Sequence, residues 1–484
     1  MIIDYKNNGS LFDEVFSKNH SDGSGYSTVL NSFNKLSDED FELNYKFSKN
    51  YFKSLGITYS LYDKTTPTNK EHTFPVDLFP RIIEADEWKK LKEGILQRSR
   101  AINLFIKDIY GKQNILKNKV VPHDLVLSCP EYIKEMTDIQ PIGDVFSHIS
   151  GTDLILNEDN KWYVLEDNVR NPSGVSYVLE NRKLFKILFG DLINNVDVLP
   201  IDDYPDMLCG VMNSFAPNID DPTVVLHTPG SYNSAYYEHC FLARRMGIPL
   251  VESSDMFVEN DKLYMRTLKG PVKIDVVYRR IDDRYLDPLV FEPSSMLGVP
   301  GIMNAYKKGN VTIMNAPGCG VADDKAIYAY IPKIIKYYLN EDSILENVPT
   351  YLCHDDKDFQ YVKENLHKLV IKPVNMSGGY GINFGNKMSK AEIEAQIVML
   401  ENNRRNYVAQ PIMNLSTHTT YIEDNKSFQP RHIDLRVFSL QGNQMEFVLD
   451  GGLTRVALKE GSLVVNSSQG GGSKDTWIIG KNNN

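Results

Sequence analysis

The feature that most constrains this chain is a polar hairpin that carries two carboxylates and an amide. A strand is predicted at 163–165, because β-branched and aromatic residues follow the polar turn at 157–160. Side chains alternate between the two faces of a strand, so Glu166 and Asn168 lie on one face, and Asp153 on the other arm can face the same point. Mg²⁺ prefers oxygen ligands of this kind, together with waters and phosphates. The alternative is an acidic hairpin edge that binds nothing.

A turn follows the hairpin and adds polar groups beside it. The sequence Asn-Pro-Ser-Gly after Arg170 is typical of a turn that presents backbone N–H groups. Arg170 and Arg182 flank this turn, and Tyr177 and Asn181 follow it. A solvated turn without a ligand explains the same residues.

Composition and charge narrow the class of protein. The 484 residues are 42% hydrophobic and 24% charged, as in ordinary globular proteins of several domains. The net charge of −10 and the absence of a basic tract argue against nucleic acid or a membrane as a partner. The sequence has no secretory signal and no apolar run of about 20 residues, and its five scattered cysteines are typical of reduced thiols. We therefore expect a cytoplasmic protein.

The first 145 residues are predicted to be mostly helical. Ser37 begins one helix, and apolar residues at helical spacing over 84–110 predict a longer one that ends at Gly111. Three prolines, the last of them Pro80, are expected to break the stretch between the two helices. Arg98 on the long helix can meet a phosphate, although a solvated helix face is favoured.

The segment 195–345 is predicted to be an α/β domain. A buried strand at 223–227, a polar loop, a helix at 235–246 and a strand at 248–251 form a βαβ unit. Ligands of open α/β sheets bind beyond the carboxyl ends of the strands, where the loop at 228–234 lies.

A lysine directly before a glycine loop predicts a phosphate site. A strand at 369–373 carries Lys372, and a glycine loop that can close over phosphates follows it. This is not the Walker pattern, which needs Gly-Lys-Ser/Thr before a helix. A second loop, at 315–325, leads into a helix predicted over 326–339.

The remaining motifs lie near the carboxyl terminus. The short strand at 407–412 meets a proline and can offer backbone groups to a planar base, although an edge strand is equally consistent. An alternating strand at 432–440 places Asp434 and Arg436 on one face. The glycine-rich stretch at 466–474 suits an anionic group or forms a flexible tail.

Together these motifs resemble the circularly permuted ATP-grasp family of type 2, which is related to glutathionylspermidine synthetases and eukaryotic glutathione synthetases. The resemblance spans about 97–477, and its most specific parts are VLEDNVRNPSGVSYVLENR, TPGSYNSAYYEH, DVVYRRIDDRYLDP, NAPGCGVADDKAIYAYIP, IKPVNMSGGYGI, HIDLRVF and GGLTRVA. In ordinary ATP-grasp enzymes the lysines and the glycine loop precede the metal ligands. The reverse order here is what a circular permutation implies.

The resemblance implies a mixed α/β (α+β) fold. Its ATP-grasp core would consist of 146–194, which carries the metal ligands, and 346–484, which carries the glycine loops. A Rossmann-like domain would be inserted at 195–345, after a mostly helical region at 1–145.

The resemblance also implies roles for individual residues, with ATP and Mg²⁺ as cofactors. The nucleotide would contact Lys325, Lys372, Ser377, Gly378, Gly379, Gly381, Gln410 and Ile412. Mg²⁺ would be held by Asp153, Glu166 and Asn168. The transferred phosphate or the acyl intermediate would face Arg170, Arg436 and Arg455. The substrates would contact Ser173, Tyr177, Asn181, Arg182, Ser231, Tyr232, Asn233 and Lys474.

The implied reaction is ligation of a carboxylate to an amine through an acyl phosphate, with small molecules or peptides as substrates. A phosphotransferase and a nucleotide-binding protein without turnover are the alternatives, and assembly into a homo-oligomer is left open. The sequence departs from the glutathione-type enzymes at two places. Ser-Gly-Thr at 150–152 replaces a basic residue before the first carboxylate, and Asn-Met-Ser at 375–377 replaces an acidic ligand. The resemblance therefore extends to the ATP chemistry rather than to glutathione or spermidine.

Overall fold

The structure is a computed structural model, and it describes residues 12–16, 25–60, 71–73, 75–216, 218–376, 381–463, 465 and 471–480. These residues form a mixed α/β protein with several sheets, as the resemblance implied. Among the described helices, none combines the length and the hydropathy that a membrane span requires.

The helices agree with most of the sequence predictions. Ser37 caps α2, since its hydroxyl accepts a hydrogen bond from Asp40 N–H at 3.0 Å, and Gly111 ends α3. The prediction of a single helix over 326–339 is wrong. One helix ends at Tyr328 and a second begins at Ile331, because Pro332 has no N–H to continue the first helix and is tolerated in the first turn of the second. In chain order the α-helices are α1 (Gly25–Lys35), α2 (Asp38–Ser54), α3 (Ala85–Tyr110), α4 (Asn114–Lys117), α5 (His123–Leu127), α6 (Val175–Asn195), α7 (Tyr204–Asn213), α8 (Tyr236–Met246), α9 (Ile302–Lys307), α10 (Lys325–Tyr328), α11 (Ile331–Leu339), α12 (Asp356–Asn365) and α13 (Lys390–Asn402).

The strands are distributed over the whole chain. In chain order they are β1 (Thr58–Ser60), β2 (Glu71–Thr73), β3 (Val76–Glu84), β4 (Ile149–Leu156), β5 (Trp162–Asn168), β6 (Val224–His227), β7 (Leu250–Val251), β8 (Met256–Glu259), β9 (Lys262–Thr267), β10 (Gly270–Lys273), β11 (Val276–Arg279), β12 (Thr312–Met314), β13 (Glu346–Asn347), β14 (Tyr351–Leu352), β15 (Leu369–Pro373), β16 (Asn383–Phe384), β17 (Tyr407–Pro411), β18 (Thr417–Ile422), β19 (Ser427–Gln441), β20 (Glu446–Val448), β21 (Leu453–Val456) and β22 (Gly472–Ile479).

The largest sheet joins early and late parts of the chain. Its order is β13-β5-β4-β19-β21-β22-β3, and β18 and β20 also pair with β19. The expectation that Pro80 breaks regular structure is wrong, because it lies within β3. There β3 forms an edge of the sheet, and its pairing with β22 shifts register between Asp77 and Arg81. A proline is tolerated at such a place because it removes no ladder hydrogen bond.

A smaller parallel sheet has the order β12-β11-β6-β7. It contains the predicted βαβ unit, in which β6, α8 and β7 follow one another and Gly247 ends α8. Its core is continuous with that of the largest sheet, since Leu226 and Val276 belong to the same hydrophobic cluster as Phe438 and Leu440. The boundaries predicted at 195 and 345 stay a prediction.

A third sheet, with the order β14-β17-β15-β16, is built from antiparallel pairs. Its hydrophobic cluster includes Phe359 and Val362 of α12 and Leu400 of α13. Lys372 lies on β15 and Gln410 on β17. This sheet therefore carries the lysine and the strand that were predicted to contact a nucleotide.

Candidate functional site

A pocket lies where the largest sheet meets the β14–β17 sheet. It is bounded by β4 and β5 on one side and by β15, β16 and β17 on the other, although these strands are about 200 residues apart in the chain. The residues that line it are Asp153, Ile155, Leu165, Glu166, Lys325, Val370, Lys372, Pro373, Met376, Ile382, Phe384, Gln410, Pro411, Met413, Leu415, Asp434, Arg455, Leu463 and Val465.

Charged side chains form a row across the largest sheet at one side of this pocket. The register places Asp153 opposite Glu166 on β5 and opposite Arg436 on β19. Arg436 donates to both carboxylate oxygens of Asp153, at 2.6 and 2.8 Å. Arg455 donates to Asp153 at 2.7 Å and, through Nε and Nη2, to Asp434 at 2.8 and 2.5 Å. Two carboxylates and two guanidinium groups thus form one buried network.

This network keeps Asp153 ionised. Burial raises the pKa of the Asp153 carboxyl, but the guanidinium groups of Arg436 and Arg455 outweigh burial and hold that pKa below its ordinary value. Burial raises the pKa of Asp434 in spite of Arg455. A carboxylate has about four acceptor positions, and Asp153 gives three of them to the two arginines. Asp153 therefore has little capacity left for a metal ion.

Lys325 enters the pocket from the start of α10. The Asp324 side chain caps this helix by accepting from Ala326 N–H at 2.8 Å. The Lys325 ammonium donates to Met376 O at 2.7 Å and lies 3.5 Å from Glu166 Oε2. One lysine thus connects the carboxylate of β5 with the residue that precedes the glycine loop.

Lys372 enters the pocket from β15, and its ammonium group makes no hydrogen bond or ion pair with the described part of the chain. Burial lowers the pKa of Lys372 to about 8, and Lys325 adds to this effect while Glu166 and Asp153 oppose it. A half-buried ammonium group whose three donors make no hydrogen bond to a described residue suits an anionic ligand. Together, Lys325 and Lys372 form a positively charged end of the pocket.

The other end of the pocket is apolar. Val370, Phe384 and Met413 line it together with the buried residue Gln410. The Gln410 side chain donates to Thr350 Oγ1 at 2.9 Å, which fixes its orientation. This end offers a largely apolar surface of the kind that suits a planar ring. The backbone N–H of Ile412 donates to Lys368 O at 3.2 Å, and Pro411 and Met413 line the pocket on either side of Ile412.

Glu166 and Asn168 keep oxygen atoms available for a cation. Glu166 has only long contacts, at 3.4 Å from the Asn168 amide nitrogen and 3.9 Å from Arg436 Nη2, besides the one with Lys325. Asn168 donates to Gly151 O at 3.2 Å, and its amide oxygen accepts no hydrogen bond from a described residue. Within the described residues, no group of three or more His, Cys, Asp or Glu side chains is placed to hold a metal. Mg²⁺ does not need such a group when phosphates complete its coordination shell. The carboxylate of Glu166 and the amide oxygen of Asn168 therefore fit Mg²⁺.

Arg170 is placed outside this pocket, in an acidic cluster. Its guanidinium group lies 3.0 Å from Glu131, 3.7 Å from Asp282 and 3.7 Å from Asp323. Burial raises the pKa of Asp323 to about 7, with Arg170 opposing it. Arg170 and Glu131 line a second cavity beside β11, together with Asp282 and other residues.

The residues predicted to contact substrates are not brought together by the structure. Arg182 is buried and pairs with Asp475 at 2.8 Å, and Lys474 is buried and pairs with Asp77. Asn181 donates to Ser473 Oγ at 3.1 Å. The structure gives these three side chains internal partners between α6, β22 and β3, because the faces that carry them pack against one another. This is a correction to the placement expected from the sequence.

The other predicted substrate residues lie near the carboxyl end of the parallel sheet. Ser173 O accepts from Arg436 Nη1 at 3.2 Å, and the Tyr177 ring stacks on Tyr237. Ser231 and Tyr232 are exposed, and Asn233 accepts from Ala235 N–H at 2.9 Å. The predicted nucleotide contacts Ser377, Gly378 and Gly379 lie outside the described residues. Gly381 is described, with a φ of 72°, a conformation that favours glycine.

Sequence reasoning missed the buried ion pair of Arg98 with Asp167. The prediction of a solvated helix face for Arg98 is wrong, because its side chain is buried and donates to both oxygens of Asp167, at 3.1 and 2.5 Å. The sequence signal was Asp167 itself, which lies on the face of β5 opposite Glu166. A carboxylate that points into a core requires a cationic partner.

The comparisons with known proteins agree with this geometry. Residues 80–457 match the model of the family described as "Circularly permuted ATP-grasp type 2". The chain belongs to this family. Membership explains why β5 with Glu166 precedes β15 with Lys372 in the chain, since the order of the ATP-grasp segments is permuted.

Several relatives cover most of the chain. It is 46% identical to an uncharacterized protein of Synechocystis sp. over 97% of both chains. It is 48% identical to an uncharacterized protein of Mycobacterium tuberculosis over 88% of this chain and 76% of that one. A protein of Frankia casuarinae named as a candidate glutamate–cysteine ligase is 39% identical over 84% of this chain, which spans 47% of that protein.

A solved structure shares the fold. It is a glutathione synthetase-like effector from Globodera pallida in the apo form, with a TM-score of 0.61, and the match covers 92% of this chain and 98% of that one. The sequence identity is 12%, so this likeness shows the fold alone. Membership of the ATP-grasp family supports an ATP-dependent ligase.

Proposed function

We propose that the protein joins a carboxylate to an amine with ATP, through an acyl-phosphate intermediate. The observation that carries this proposal is the pocket itself, in which Lys325 and Lys372 share one cavity with Glu166. Family membership supports the use of ATP by a ligase. The particular reaction is our inference from the chemistry of the lining residues.

The pocket has the polarity that ATP requires. The phosphates would lie at the charged end, where Lys325 and Lys372 supply ammonium groups, and the adenine ring would lie against Val370 and Phe384 at the apolar end. Repulsion between anions hinders the attack of a carboxylate on a phosphate. Positioned cations reduce this repulsion in a site that excludes water, and removal of one such group commonly costs about 10²–10³ in rate.

Glu166 and Asn168 are the residues that would hold Mg²⁺. Bound there, Mg²⁺ would neutralise phosphate charge and orient the phosphates. Asp153, which the sequence placed with them, has a different part in this proposal, because Arg436 and Arg455 occupy most of its acceptor positions. It would hold the two guanidinium groups beside the site of phosphate transfer.

The proposed reaction needs no nucleophilic side chain. The carboxylate substrate would attack the γ-phosphorus of ATP and release ADP, and the amine would then attack the acyl carbon and release phosphate. The buried thiols fit this view, since burial raises the pKa of Cys129 and Cys353 and keeps both in the unreactive thiol form. Arg436 also contacts the turn that contains Ser173, which would place that turn next to the reacting acyl group.

The test is a screen for ADP release from ATP and Mg²⁺ with amino acids and short peptides. Glutamate and cysteine are the first pair, because the Frankia relative carries the name of a ligase for them. Hydroxylamine added to the same reactions traps an acyl phosphate as a hydroxamate. We expect hydroxamate in the presence of the right acid and none with Glu166→Gln. A stable phosphorylated product that forms without any amine would indicate a phosphotransferase instead, and an absence of ADP with every acid would contradict the proposal.

A further inference from the structure

A buried polar network lies behind the strand that carries Glu166 and Asn168. Side chains alternate along β5, so Asp167 points to the opposite face, where Arg98 of α3 meets it. The Arg98 and Asp167 side chains are 1% and 2% exposed. The paired geometry, with Nε and Nη2 on the two carboxylate oxygens, fixes the position of Asp167 better than a single contact would.

The network continues to the helix that begins with Lys325. Arg98 Nη1 donates to Asn347 Oδ1 at 2.8 Å, and the Asn347 amide donates to Tyr328 O at 2.7 Å. The Tyr328 hydroxyl donates to Val164 O on β5 at 2.5 Å. Asn347 itself lies on β13, which pairs with β5 in parallel. One set of buried and partly buried hydrogen bonds therefore joins β5, β13 and α10.

The two ends of this network determine the geometry of the pocket. Asp167 is the neighbour of both Glu166 and Asn168 on β5, and Tyr328 is three residues from Lys325 on α10. On the pocket side, Glu166 and Lys325 lie only 3.5 Å apart. A shift of β5 relative to α10 would change this distance directly.

We propose that Arg98 is a positioning residue for Glu166 and Asn168, the two proposed Mg²⁺ ligands. Its bonds to Asp167 and Asn347 hold these ligands at a fixed place relative to Lys325. This inference rests on the proposed function, since it assumes that Glu166 and Asn168 hold Mg²⁺. Arg98 itself lies behind the strand and is not among the residues that line the pocket, so it would contact neither the metal nor the substrate. Groups of this kind, which orient metal ligands, commonly change metal affinity by about 10–100-fold when they are removed.

The test compares Arg98→Lys with a matched variant, Arg81→Lys. Arg81 forms an equally buried pair with Glu14, with contacts of 2.9 and 2.6 Å and side chains 0% and 2% exposed, and it lies on β3 at the other edge of the same sheet. Its third contact is with the backbone carbonyl of Asp434, at 3.3 Å, and not with the side chain of a candidate metal ligand. Both substitutions keep the charge and remove the planar fork. Both should lower the thermal midpoint by several degrees, which controls for general loss of stability.

The measurement is calorimetric titration of ATP into each protein, first in EDTA and then at increasing Mg²⁺ concentration. Arg98→Lys should raise the Mg²⁺ concentration needed for half of the metal-dependent gain in affinity by about tenfold or more. Arg81→Lys should change it less than about twofold. If Arg98→Lys does not fold, Asp167→Asn makes the same test, because it removes the charge that Arg98 binds.

The outcomes separate this inference from the proposed function. Equal effects of the Arg98 and Arg81 variants on the Mg²⁺ dependence, or no effect of either, would overturn the positioning role while ATP binding by the wild-type protein stands. A wild-type protein whose ATP affinity does not respond to Mg²⁺ would contradict the proposed metal site, and the inference would fall with it.

Discussion

Replacement of Lys372 by methionine should weaken ATP binding without weakening the fold. The Lys372 ammonium lines the pocket and makes no hydrogen bond or ion pair with a described residue, so we expect it to donate to phosphate. A hydrogen bond to a charged group contributes about 1.5–3 kcal/mol, which corresponds to a change of roughly 10–150-fold in Kd. We therefore expect the Kd of Mg·ATP to rise by that factor in Lys372→Met.

The same substitution should leave the stability of the ligand-free protein unchanged or raise it. Burial lowers the pKa of Lys372 to about 8, below the ordinary value of about 10.4 that applies to the unfolded chain. The charged form is thus disfavoured in the folded state, and this cost is fully present below pH 8. Between pH 8 and about 10.4 the unfolded state binds more protons, so this group makes stability rise with pH. Lys372→Met removes the cost, and its thermal midpoint at pH 7 should equal or exceed that of the wild type.

The same pKa predicts how ATP affinity depends on pH. Phosphate favours the charged amine, so the wild-type protein should take up a proton on binding ATP above pH 8. Its affinity should then fall by up to about tenfold per pH unit, and Lys372→Met should lack this dependence.

Calorimetry at pH 7, 8 and 9, in buffers with different ionisation enthalpies, measures both the affinity and the proton uptake. Lys368→Met is the matched control, since Lys368 is exposed and precedes the same strand. An affinity within twofold of wild type, or a clear loss of stability in Lys372→Met, would refute the reasoning.

Two further predictions concern the charged row. Asp153→Asn should lower the free energy of unfolding by about 3–5 kcal/mol in urea titrations, because Arg436 and Arg455 lose a buried partner. The control is replacement of the exposed Lys49, which pairs with Glu423. That replacement should lower the free energy of unfolding by less than about 1 kcal/mol. The pKa of Asp153 is depressed in the folded state, so its contribution is present above the unfolded value of about 3.9 and is lost as the pH falls below it. Glu166→Gln should abolish Mg²⁺-dependent turnover and leave the thermal midpoint within about 2 °C of wild type, whereas a large drop in that midpoint would favour a structural role for the hairpin.

Local features of the fold could be predicted because they depend on short-range patterns. The alternation in β5 is sufficient to place Glu166 and Asn168 on one face. The pairing of Asp153 with Glu166 does not follow from the hairpin alone, because the register that pairs Leu154 with Val164 would pair Asp153 with Leu165, and a register shift between Asp153 and Leu154 brings Glu166 opposite Asp153 instead. The helical spacing of apolar residues predicted α3 with a boundary error of one residue. Pro80 was misjudged because its tolerance depends on the edge position of β3, and a sequence does not reveal which strand is an edge.

The parts that could not be predicted depend on contacts between distant residues. Arg436 and Asp153 are 283 residues apart, and Arg455 and Asp153 are 302 apart, so nothing near Asp153 indicates that its oxygens are already occupied. Lys474 lies beside a glycine-rich stretch and suggested an anion site. In the fold its charge is neutralised by Asp77, 397 residues away.

The central claim is that two distant segments of the chain form one site for Mg·ATP. A crystal structure of the protein with Mg²⁺ and a non-hydrolysable ATP analogue tests it most directly. The account predicts the adenine ring between Val370 and Phe384, phosphate oxygens within hydrogen-bond distance of Lys325 and Lys372, and Mg²⁺ bound to Glu166. A nucleotide bound elsewhere, such as at the carboxyl ends of β6 and β11, or phosphates that contact neither lysine, would contradict it.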